Sequence, residues 1–274
     1  MRLYHDPMHD AILLNSDEES LLGDLQPFLS KEESSFYHAI QNEETARNWR
    51  IARFLAKFLF VKINGLLNQY TTFPSPNSLY FSGPSRSAPS AEHDIFYPGD
   101  PDMFTRDLMR ECERIFPRIT VRSRNDQNKG IPPVFHFSEY SLNHLPKRFF
   151  SISHSEKEIL VLFGSQPGIR VGCDIIPCGS ITDGIVNLFF QPEEKELVEK
   201  YTESDDIPKS IIWGIKEAVY KRVCIQEPFD PLTVSVRSRS EKIDLKSFFY
   251  ASWKNINFYD IRVGRVGKNI IVIN

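Results

Sequence analysis

The sequence predicts an α+β fold: two similar α/β halves in a pseudo-twofold monomer, each with a small antiparallel sheet packed by helices. Three observations predict it. Apolar residues recur at the helical period in several segments on both sides of the chain's midpoint. Short runs rich in β-branched and aromatic residues, bounded by turn residues, also occur on both sides. Between them SQPG, residues 165–168, marks a turn that separates an N-terminal half, 1–168, from a C-terminal half, 169–274, without a strong sequence repeat linking the two.

In chain order, residues 30–40 and 43–61 read as helices, and Asn64-Gly65 ends the second. Residues 71–101, dense in Pro, Ser and Gly, read as a surface insertion. A short helix follows over 103–114, with Phe104, Leu108 and Cys112 on one side, then a strand over 119–123. FFSISHSEKEILVLF, 149–163, fits a hairpin. IRVGCDII, 169–176, alternates so that Val171, Cys173 and Ile175 face one way and Gly172, Asp174 and Ile176 the other. Three helical segments come next, ITDGIVNLFF, PEEKELVEKY and DDIPKSIIWGIKEAVYKRV, the last with Asp206 as a candidate N-cap and Pro208 in its first turn. LTVSVRS, DLKSFFYASW, NINFYDIRVG and NIIVIN supply the closing strands.

Composition bounds the function. The chain has 274 residues, 41% of them hydrophobic, enough for a sizeable core, and a net charge of -3 with no global positive field for a polyanion. The basic stretch RVGRVGK lacks a reading element, so no nucleic-acid partner is expected. No run approaches the ~20 apolar residues of a membrane span, and the acidic beginning is unlike a secretory leader. A cytoplasmic protein with reduced cysteines is the expectation. The four cysteines have no compact His or Cys company that would suggest zinc.

Chemistry concentrates in WGIKEAVYK, 213–221. Trp213, Glu217, Tyr220 and Lys221 share one helix face beside an apolar stripe of Ile212, Ile215, Val219 and Val223. Glu217 and Lys221 at four-residue spacing read first as a surface helix ion pair, while Trp213 and Tyr220 beside them argue for a partly buried charged pair that needs partners. Asp174 on its strand, His154 in SISHSEK and Glu194 after NLFFQPE add to the set. Two carboxylates, Asp174 and Glu217, with a lysine one turn away suit magnesium holding a phosphorylated ligand, because this hard ion takes one or two protein oxygens and completes its shell with ligand and water.

VGCDII, WGIKEAVYK and FSISHS, in this order of strand, helix and preceding hairpin and with NLFFQPEE between the first two, resemble the motifs of the 4'-phosphopantetheinyl transferases. The likeness is to their larger monomeric class, the type that serves aminoadipate reductase and peptide synthetases. It is densest from Phe149 to Val223. The resemblance implies transfer of the phosphopantetheine arm of coenzyme A to an apo acyl-, peptidyl- or aminoadipate-reductase carrier domain. It implies Asp174 and Glu217 as magnesium ligands, His154 on a coenzyme A phosphate, and Lys221 on the diphosphate. Glu194 would order water or assist proton transfer, Lys216 is a further cofactor contact, Arg47 would bind the 3'-phosphate, and Lys129 in NKGIP stands near a cofactor-binding segment. KFLFVK with Arg50 and Arg53 reads as a basic and apolar docking surface for the carrier or, nearly as well, as packing between the halves. Ile176 replaces a second acid found in some relatives, Glu156 replaces a glycine, and RVCIQEPF replaces a glycine-rich turn. A noncatalytic coenzyme-A-binding protein and a protein-interaction module on the same scaffold are the alternatives.

Overall fold

The computed structural model describes residues 2–5, 9–15, 22–66, 97–98, 106–122, 133–138, 145, 149–200, 206–223, 228–239, 245 and 247–274. Lys129, Cys224 and most of the 71–101 insertion lie outside the described residues. The elements mix helices with small antiparallel sheets, an α+β fold.

Strands β1 (Arg2–His5), β2 (His9–Asn15), β3 (Tyr97–Pro98), β6 (Phe150–His154) and β7 (Glu158–Gly164) form a five-stranded sheet in the order β3-β1-β2-β7-β6. β4 (Ile119–Arg122) and β5 (Val134–Phe137) pair separately. β8 (Cys173–Pro177), β12 (Arg262–Val266) and β13 (Asn269–Ile273) make a second sheet, and β9 (Val234–Ser238), β10 (Phe249–Trp253) and β11 (Ile256–Phe258) a third. The helices are α1 (Lys31–Tyr37), α2 (Glu43–Ile63), α3 (Arg106–Ile115), α4 (Asp183–Phe189), α5 (Pro192–Glu199) and α6 (Asp206–Val223).

Two sheets stand back to back with one long helix on each outer side. In β2 and β7, Ile12, Leu14, Ile159, Val161 and Phe163 face α2, while Ala11, Leu13, Leu160 and Leu162 face the second sheet. That sheet answers with Cys173, Ile175, Ile271 and Ile273 and turns Ile176, Ile270 and Val272 toward α6. Both faces of these strands are buried, which is why EILVLF and NIIVI read as continuous apolar runs rather than alternating ones. Alternation in 171–176 falls as the sequence predicts.

Two glycines set how closely α6 approaches its sheet. A Cβ at Gly172 would lie 1.9 Å from the Ala218 carbonyl oxygen, and one at Gly214 would lie 2.8 Å from Val272. Gly172 also exchanges backbone hydrogen bonds with Asn274, extending the β8–β13 ladder by one residue. β8, which carries Asp174 two residues on, is thereby held close to α6.

Some sequence expectations shift. Residues 2–5 and 9–15 are strands that carried no sequence assignment. Asp206 is the first residue of α6. KFLFVK is no docking surface: Lys57, Phe58, Leu59, Phe60 and Val61 are buried against β2, β6 and β7, and Arg53 is only 3% exposed.

Candidate active site

Between α1 and α2 on one side and β6, β8 and α6 on the other lies a cavity of about 630 Å³. Its floor is polar. Asp174 stands there because β8 turns its second residue away from the sheet-to-sheet core, and its side chain is 6% exposed. Two groups compensate that buried carboxylate. Ser153 Oγ donates to Asp174 Oδ1 at 2.7 Å, and Lys221 Nζ donates to the same oxygen at 2.5 Å. Lys221 Nζ also reaches Ser153 Oγ at 3.2 Å.

Ser153 Oγ in turn accepts the Ile175 amide, and Ser151 Oγ accepts the Cys173 amide, both at 3.2 Å. The two sheets are therefore stitched through serine hydroxyls on β6 at the point where Asp174 projects. Cys173 is sealed, and burial pushes its thiol up to about 12, so it has no nucleophilic role.

Glu217, one helical turn before Lys221 on α6, lines the same cavity beside Asp174. Trp213 Nε1 donates to its Oε1 at 2.8 Å, and its Oε2 lies 3.7 Å from Lys221 Nζ. The two carboxylates thus converge on one ammonium. Burial and the Asp174 charge raise the pKa of Glu217, outweighing Lys221 and the Trp213 hydrogen bond. For Lys221, burial opposes the charged form, but Asp174 and Glu217 prevail and raise its pKa. Trp213 is steadied by edge contacts to Phe189 and Phe229, and Tyr220 packs on Phe229. His154 ends β6 at the cavity lining; its ring keeps solvent contact, yet desolvation by the protein around it and the Lys221 charge lower its pKa.

Asp174, Glu217, Lys221 and His154 are brought together; Glu194 and Lys216 are not. These two form an ion pair at 2.8 Å with both side chains 0% exposed, away from the cavity. Glu194 completes the capping box of α5 through the Gln191 amide and accepts the Val236 amide, each at 2.8 Å. Lys216 Nζ donates to the carbonyls of Pro231 and Val234 at 2.9 and 2.6 Å. Every polar atom of the pair is committed to architecture, which leaves neither a proton relay nor a cofactor contact. Arg47 is half-buried on α2 and does not line the cavity. Arg53 lines it instead, its guanidinium 3.8 Å over the Trp49 ring.

The sequence does not mark Ser153, Arg53 or Trp49 as cavity residues, and it assigns Arg53 to a docking surface instead. For Ser153 a signal existed: Ser151 and Ser153 sit at strand period two, on one face, next to the histidine. For Arg53 no local signal separates it from Arg47 and Arg50.

Among the described residues no group of three or more His, Cys, Asp or Glu converges as a metal cluster. A cation here would have two protein carboxylates. No helix among the described residues is long and apolar enough to cross a membrane. Residues 170–260 match the model of the 4'-phosphopantetheinyl transferase superfamily. That span contains Asp174, Glu217 and Lys221, while His154 and the α1–α2 wall precede it. A search among curated proteins gives no match to the chain.

Proposed function

We propose that the protein transfers the 4'-phosphopantetheine arm of coenzyme A to a serine of an apo acyl-, peptidyl- or aminoadipate-reductase carrier domain, with magnesium held by Asp174 and Glu217. One observation carries the reading. A strand carboxylate and a helix carboxylate meet at a single cationic position on the floor of a cavity, inside the span that matches the transferase superfamily.

The donor set fits a hard cation: two carboxylates already face a positive charge, and the open cavity leaves room for ligand oxygens and water. Magnesium held by these two carboxylates would supply charge neutralisation for the diphosphate and polarisation of the phosphorus under attack. The chain's own residues do the rest. His154 at the lining takes a phosphate of coenzyme A. Lys221 offsets the negative charge that grows on the departing group, an interaction stronger in the transition state than in the ground state.

The serine oxygen forms a bond to the phosphorus that carries pantetheine. The bond from that phosphorus to the bridging oxygen breaks, and its electron pair leaves with adenosine 3',5'-bisphosphate. Glu217 receives the serine proton at its carboxylate. Trp213 holds that carboxylate in place from the side.

The test incubates the purified protein with coenzyme A, magnesium and a panel of apo carrier domains, following the pantetheine mass increment and bisphosphate release. D174A and E217Q should both abolish transfer. Transfer near the wild-type level by both variants would remove the metal assignment. Coenzyme A binding with no transfer to any carrier would favour a noncatalytic coenzyme-A-binding protein.

A further inference from the structure

Lys221 stands where the two carboxylates would hold a divalent cation. Its Nζ is 2.5 Å from Asp174 Oδ1 and 3.7 Å from Glu217 Oε2, and it also contacts Ser153 Oγ. Lysine and metal therefore compete for the same oxygens. Magnesium binds carboxylate oxygen at about 2.0–2.1 Å, and a like-charged ammonium on that same Oδ1 repels it. A ligand bearing phosphate changes the balance, because it offers the ammonium another anionic partner.

We propose that Lys221 makes cation binding conditional on a phosphorylated ligand: it guards Asp174 and Glu217, and yields them only when phosphate oxygens in the cavity take over its charge. The inference rests on the reading above, that these two carboxylates hold the metal, and adds an order to it. Lys221 thus selects for a diphosphate-bearing ligand before any bond is made. The geometry supports a short transfer. Lys221 is 20% exposed and lines the cavity, so its ammonium has a path from Asp174 toward a bound ligand, whereas Lys216, at 0% and fixed by two carbonyls, has none. Linkage makes the effect reciprocal, so the cation must raise the ligand's affinity by the same factor.

The experiment measures Mn²⁺ binding by the loss of the free-ion electron paramagnetic resonance signal, without any carrier present. Wild-type protein should bind Mn²⁺ at least tenfold more tightly with coenzyme A than alone, and pantetheine, which has no phosphate, should give no gain. K221M should bind Mn²⁺ without coenzyme A at least tenfold more tightly than wild type, with a much smaller gain on adding it. K221Q, which keeps a hydrogen-bond donor for Asp174, repeats the measurement if the methionine variant does not fold. If both variants bind Mn²⁺ alone no better than wild type while coenzyme A still recruits it, the guarding role is overturned and the metal site stands. Equal affinity of the wild type with and without coenzyme A also overturns it. If D174N and E217Q bind Mn²⁺ as the wild type does, or no binding occurs with coenzyme A, the metal assignment falls and the proposal with it.

Discussion

The long helices α2 and α6 are anchored alike and diverge one residue beyond the anchor. On α2, Lys57 is sealed at 0% exposure, pairs with Glu33 and donates to the carbonyls of Phe28 and Phe116. Glu33 completes the capping box of α1 and accepts the Val121 amide on β4. On α6, Lys216 pairs with Glu194, which caps α5 and accepts the Val236 amide on β9. Five residues after each anchor stands another lysine, Lys62 or Lys221, under the charge of an aspartate at the second position of its strand, Asp10 or Asp174. Immediately after the anchor, however, α2 has Phe58, buried in the core, and α6 has Glu217, facing the cavity. The shared pair is architecture. The acid beside it is what gives one helix a site.

E217Q removes that difference most directly. We expect transfer to fall about a thousandfold or more, on the order of 4 kcal/mol of transition-state stabilisation, with an unfolding midpoint close to wild type because Glu217 is not part of the anchor. Carrier mass spectrometry and denaturant unfolding check the two halves of this statement. A large loss of stability would mean that Glu217 belongs to the architecture after all.

The anchors themselves break next. K57M and K216M each strand a buried glutamate, and loss of one partner from such a pair costs about 3–5 kcal/mol. The two losses in denaturant unfolding should be similar, and strongly unequal losses would break the equivalence. Where K216M remains folded, transfer should stay within about tenfold of wild type, since Lys216 does not face the cavity.

Much of this was legible in the sequence. WGIKEAVYK and VGCDII placed Asp174, Glu217 and Lys221 on the right elements, because helical and strand periods determine which side chains share a face. Glu194 and Lys216 misled for a physical reason: charged residues next to catalytic ones look functional until burial is known, and their partners are backbone amides and carbonyls, which no side-chain pattern displays. The recurrence of the anchor was invisible for the same reason. Ser30 and Gln191 differ as caps, and the lysine follows its glutamate at different spacings, so only the hydrogen bonds repeat. Strand β2 escaped because it is buried on both faces, so AILL reads as a short apolar run without the alternation that marks a strand.

The α2 anchor also leaves a mark on pH dependence. Burial drives the pKa of Lys57 down to about 8, partly resisted by Glu33, whereas the unfolded chain keeps the ordinary value near 10.5. Between these values the unfolded state binds more protons, so this group makes stability rise with pH across about 8 to 10.5. Wild type minus K57M, compared by denaturant unfolding over that window, should show a positive slope of up to about 1.4 kcal/mol per pH unit. A flat or negative difference would show that the Lys57 pKa is not lowered by folding. Lys216 is lowered in the same direction by burial, so K216M should show the same sign.

The smallest expected effect sharpens the comparison at one more position. Three residues before its anchor, α6 has Trp213, whose indole N–H donates to Glu217, and α2 has Phe54, which has no donor. W213F makes the helices alike there while keeping an aromatic ring against Phe189 and Phe229. The lost hydrogen bond had favoured the Glu217 carboxylate, so burial and Asp174 then push its pKa further up. Because the carboxylate is the form that accepts the serine proton, the acid limb of transfer should move to higher pH, by about one pH unit for a hydrogen bond to a charged group. Rates well above that limb should change only a few-fold. The pH profile of kcat for W213F against wild type decides it, since a structural defect alone would lower the rate at every pH without moving the limb.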